Sequence, residues 1–133
     1  MKFRASFCDP FSPKIIELGE INQDKIIDTF NNIPWDNLLE KMKSTTKEEI
    51  YYSPSLEIEN IENRNGLAIS AIDGVEWYIF YKRPKIVKSF FGLKEKRDED
   101  YVTQLTGQSE NEVREALNAL IKNNLEFLEA IIK

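Results

Sequence analysis

The sequence predicts an α+β fold: an antiparallel sheet of four to six strands with a central meander, helices from the N-terminal third, and a long C-terminal helix packed on one face. Three observations carry that expectation. Between residues 49 and 88, strand-like runs are separated by Asn65-Gly66 and Asp73-Gly74, dipeptides that favour tight hairpin turns because both residues tolerate positive φ. From residue 109 onward, apolar residues recur at helical spacing behind a capping-box sequence. The first third begins with a period of two and then switches to steps of three and four.

The elements follow in order. In KFRASFC, Phe3, Ala5 and Phe7 alternate with Lys2, Arg4 and Ser6, the mark of a half-buried strand, and Asp9-Pro10 ends it. KIIELGEI is a second short strand or an extended connection. Ile26, Ile27, Phe30 and Ile33 share one helical face, with Asn22 or Asp24 as cap and Pro34 as stop. Trp35, Leu38, Leu39 and Met42 predict a second short helix. Beyond Pro54, Leu56 and Ile58 alternate with Glu57 and Glu59; Leu67, Ile69 and Ala71 line the next strand.

The third strand of the meander has two apolar faces. Val75, Trp77, Ile79 and Tyr81 form one, Tyr78 and Phe80 the other. Such a strand sits centrally, or has a helix or a partner on its second side. RPKIVKSFFG extends it past Pro84 to a turn at Gly92, and Asp100–Leu105 forms a last short strand. In the C-terminal helix, Ser109 and Glu112 satisfy each other's free amides. Its stripe runs Val113, Ala116, Leu117, Leu120, Ile121, and resumes at Leu125, Leu128, Ile131 and Ile132 after Asn123-Asn124, where a break or kink is expected.

Residues 1–133 have the length of a single globular domain, and 41% hydrophobic with 31% charged residues is a soluble globular composition. The N-terminal stretch has no apolar run of leader length, and no window has the eighteen apolar residues of a membrane helix. With a single cysteine, the expected compartment is the cytoplasm.

The chain contains no histidine, so Ser-His-Asp and Cys-His chemistry cannot be built. Cys8 falls in a strand as a small buried hydrophobe. No phosphate-binding glycine loop or cysteine cluster is present. Glu57 and Glu59 share a strand face with Glu62 just beyond, which offers oxygen ligands, but the favoured reading is a solvated sheet face that discourages edge pairing. The expectation is therefore no catalytic residue, metal or cofactor.

Net charge is −5, but it is segregated. Residues 82–97 hold seven Lys or Arg and one Glu, a local +6, against −11 elsewhere. The bland reading of that segment is a polar strand end beside a very apolar strand. The functional reading makes Lys82, Arg83, Lys85 and Lys88 a contact site, with Tyr78, Phe80 or Phe91 as stacking faces. Exposed Tyr51, Tyr52 or Tyr78 beside it would strengthen that reading.

Together these features predict a non-catalytic binding protein that engages a protein partner, as an immunity or antitoxin-type inhibitor or an accessory subunit. An acidic body suits a basic partner. The alternatives are a small-anion or phosphate-ligand domain or enzyme using residues 82–97, and, disfavoured by the −11, nucleic-acid binding.

Overall fold

The computed structural model describes residues 2–133 except 90, 91 and 93. Six strands, β1 (Lys2–Cys8), β2 (Ile16–Asn22), β3 (Ser55–Asn60), β4 (Gly66–Ala71), β5 (Trp77–Ser89) and β6 (Lys94–Gln108), form one sheet in the order β2-β1-β3-β4-β5-β6. Every neighbouring pair is antiparallel, and β3 to β6 make the expected meander. Four helices, α1 (Ile26–Asn32), α2 (Trp35–Lys43), α3 (Glu110–Ile121) and α4 (Leu125–Ile131), pack on one face.

Alternation decides which side chains meet the helices. Phe3, Leu56, Ile58, Leu67, Ile69, Ile79 and Tyr81 are at most 2% exposed and point into one continuous core. Fully burying each aliphatic or phenyl side chain contributes about 1.5–3 kcal/mol relative to leaving it in water. At the centre, the Trp35 and Trp77 rings meet edge to face at 5.0 Å, flanked by Phe30 and Phe7. The indole N–H of Trp35 donates to the Phe30 carbonyl at 3.0 Å, so its one polar atom costs nothing on burial.

The C-terminal stripe forms two helices rather than one long one. α3 opens on the capping box, with Ser109 Oγ accepting from Glu112 N at 3.2 Å and Glu112 Oε1 accepting from Ser109 N at 3.0 Å. It stops where Asn123 takes φ +58°, a left-handed conformation that asparagine tolerates, and Asn124 then caps α4. At the other end of the fold, neither Asn22 nor Asp24 caps α1, which enters directly from a 3-10 turn.

Both hairpins of the meander stand where the sequence places them, but their turns differ from the expected two-residue type. The β3–β4 turn spans five residues; its left-handed residue is Arg64, while Gly66 already belongs to β4. Asparagine side chains hold it: Asn60 Oδ1 accepts from Glu62 N, and Asn63 Oδ1 accepts from Asn65 N. In the β4–β5 turn, Asp73 Oδ1 accepts from Val75 N and Glu76 N, at 2.8 and 2.7 Å. Val75 therefore belongs to this turn and is 81% exposed, instead of pointing inward with Trp77.

The last strand is also longer than expected. β6 covers fifteen residues, and with the outer half of β5 it projects past β4, whose pairing with β5 stops at Gly66↔Lys82. Its charge-rich first half pairs because opposite charges face one another across the arm, Lys85 with Asp98 and Lys88 with Glu95. Pro84, lacking an N–H, sits at a bulge between Arg83 and Lys85.

Candidate functional site

All four helices lie on one side, so the second apolar face of β5 is not covered by a helix. Tyr78 and Phe80 are half-buried on the open face of the sheet. Register builds that face in rows across the strands. Glu59, Gly66 and Lys82 form one row; Glu57, Ala68 and Phe80 the next; Ser55, Ser70 and Tyr78 the third. β1 continues them with Arg4, Ser6 and Cys8.

The middle strand of these rows carries no large side chain. Gly66, Ala68 and Ser70 leave a strip of bare backbone between β3 and β5, and the result is a trough of about 470 Å³. Gly66 is required by close packing: a Cβ there would stand 3.0 Å from the Ile58 carbonyl and 3.4 Å from Glu59 Cα. Across the glycine, Lys82 Nζ reaches Glu59 Oε2 at 3.9 Å and closes that end of the trough. At the other end, the Ser55 and Ser70 hydroxyls bond to each other at 2.6 Å. In the middle, Glu57 accepts from Ser6 Oγ at 3.4 Å and makes no ion pair among the described residues. Burial, reinforced by the nearby Glu57 carboxylate, pushes the Cys8 thiol up, which holds it protonated rather than nucleophilic.

The residues singled out in the sequence do not form one constellation. Tyr78, Phe80 and Lys82 share the open face. Arg83 and Lys85 lie on the helix face, because they continue the alternation of Trp77, Ile79 and Tyr81 along β5. Arg83 is 2% exposed and fully engaged: Nε and Nη2 donate to the two Glu129 oxygens at 2.8 and 3.0 Å, and Nη1 donates to Tyr81 O and Thr103 Oγ1. Its guanidinium also stacks on Tyr81 and Tyr101. Lys85 reaches the same carboxylate at 3.3 Å. These bonds pull Glu129 below the usual carboxylate range and tie α4 to the sheet. Lys88 is exposed on the projecting arm, and Phe91 lies outside the described residues.

Tyr51 and Tyr52 pack against the loop at 10–13, through Tyr51 N to Pro10 O and Tyr52 Oη to Pro13 O. They stand at the Ser55 end of the sheet, opposite Lys82. Gly66, Ala68 and Ser70 are not among the residues singled out in the sequence, although their signal is visible: in GLAISA every second residue is small, which is how a groove is written on a strand.

Comparison of the chain with known protein families, with curated proteins and with solved structures finds no match.

Proposed function

We propose that this protein is a non-catalytic binding protein for a basic protein partner, of the immunity or antitoxin-inhibitor kind or as an accessory subunit, acting in a reducing cytoplasm. One observation carries the reading: a sheet face left uncovered by the helices holds a trough walled by the Phe80 ring and by carboxylates. Half-buried Tyr78 and Phe80 on such a face are contact surface in search of cover. The −11 outside residues 82–97 supports a basic partner, since long-range attraction raises the association rate. The groups on offer, three carboxylates, hydroxyls, a phenyl ring and the cations Arg4 and Lys82, are recognition groups. Small-anion or nucleic-acid binding would draw on Lys82, Arg83 and Lys85 together, which lie on two faces with Arg83 and Lys85 engaged by Glu129.

The test uses the tagged chain as bait in lysate of its host. A protein of high isoelectric point is expected to be retained at low salt, released by high salt, and lost when Ala68→Trp fills the trough. Equal retention by A68W, or no salt-dependent protein at all, refutes the reading.

A further inference from the structure

We infer that the trough is a seat for a single guanidinium, supplied by an extended basic segment of the partner and held over Ala68 between the Glu57 carboxylate and the Phe80 ring. The inference rests on the protein-partner reading above and names its point of contact.

The charge pattern along the trough selects the position. Glu59 already has Lys82 at 3.9 Å and stands in register with Arg4. Glu17 and Glu57, on either side of Ser6, have no cation within ion-pairing distance among the described residues. Two uncompensated carboxylates therefore face the middle of the trough, and its cationic end is the end already closed by the Glu59–Lys82 bridge.

The shape selects the group. Glu57 and Phe80 both stand opposite Ala68 on its two sides, so their backbones are about 10 Å apart, twice the strand spacing. The Ala68 methyl fills little of that gap. A planar guanidinium lying on the phenyl face and donating two hydrogen bonds to the carboxylate satisfies both walls at once. An ammonium satisfies the carboxylate and stacks less well, and a neutral or anionic side chain leaves Glu57 facing nothing. The bond from Ser6 Oγ holds the carboxylate in place for this. Ser55 and Ser70, with Tyr78 beside them, extend the floor away from the closed end and give the segment's backbone a path along β4.

The experiment titrates the full-length ¹⁵N-labelled chain with an acetylated, amidated hexapeptide alternating serine and arginine, beside its lysine and glutamate counterparts. The expected result is amide shifts centred on Glu57, Ala68 and Phe80 with the arginine peptide, several-fold weaker binding of the lysine peptide, and none of the glutamate peptide. Glu57→Gln, an exposed side chain outside the core, is expected to weaken the arginine peptide about tenfold while leaving the urea midpoint unchanged. Phe80→Leu is expected to erase the preference for arginine over lysine.

Shifts confined to the helix face or the β5–β6 arm overturn this seat, and so do equal affinities for native chain and E57Q. If the bait still retains a basic protein in either case, the partner reading stands and the seat alone falls. If the peptide binds as expected but A68W retains the lysate partner unchanged, the seat stands and the partner reading falls.

Discussion

Arg83 and Glu129 are joined by two parallel hydrogen bonds, Nε to Oε1 at 2.8 Å and Nη2 to Oε2 at 3.0 Å, but they share the burial unequally. The arginine side chain is 3% exposed and the glutamate 39%. Removing the acid strands a buried guanidinium, whereas removing the arginine leaves a carboxylate that turns to water. E129A is therefore expected to cost about 2–3 kcal/mol and R83M on the order of 1 kcal/mol. Urea midpoints at constant m check the asymmetry; equal costs would contradict it.

The same pair sets an acid limit. Hydrogen bonds from Arg83, followed by its charge and that of Lys85, hold the Glu129 carboxyl below its ordinary value, against the opposing effect of burial. A depressed folded pKa contributes stability that is complete above the unfolded glutamate value of about 4.3 and is lost as pH falls through the folded one. Below about pH 4.5 the native chain should lose stability more steeply than E129Q. The backbone N–H groups of Val75 and Glu76 lower Asp73 in both proteins, so the difference between the two curves isolates Glu129.

Tyr81 sets the alkaline counterpart. Burial first, and Glu129 second, push its phenol up to about 12, with Arg83 opposing. Here the folded value is raised, so the contribution is complete below the unfolded tyrosine value of about 10 and is lost as pH rises through the folded one. Of the five tyrosines, one should ionise last, near pH 12, in a tyrosinate absorbance titration, and Y81F should delete that step. Y81F also removes the donor to the buried Asn65 Oδ1, at a cost of about 1–2 kcal/mol.

Gly66 is the trough position where a methyl group does not fit. G66A places a Cβ 3.0 Å from the Ile58 carbonyl, a backbone atom of a central strand pair, and is expected to destabilise by about 1–3 kcal/mol. Ala68→Ser, one row along, should stay within about 0.5 kcal/mol. Thermal unfolding of the two variants side by side checks the contrast.

How much of this was legible in the sequence depended on whether a residue's role was set by its own strand. Trp77, Ile79 and Tyr81 announced their burial through a period of two, and Ser109 with Glu112 announced a helix start, because each signal is local. The turns were misread in detail because asparagine and aspartate side chains supply hydrogen bonds that let longer loops form at the same dipeptides. The first half of β6 lies outside the Asp100–Leu105 strand expected from the sequence, since its strand character comes from pairing with β5 rather than from its own residues. Arg83 was grouped with its lysine neighbours on charge alone. Its bond to Glu129, 46 residues away, arises from how α4 docks, and no spacing in the chain encodes that.

Placing every helix on one side of the sheet has an optical consequence. Trp35 and Trp77, the chain's two indoles, sit beneath the helices, while the sole thiol, Cys8, lines the trough on the far side. Tryptophan emission should therefore follow unfolding yet stay silent when the trough is occupied. The molecule thus carries a native probe of its integrity that a single layer of backbone separates from the trough.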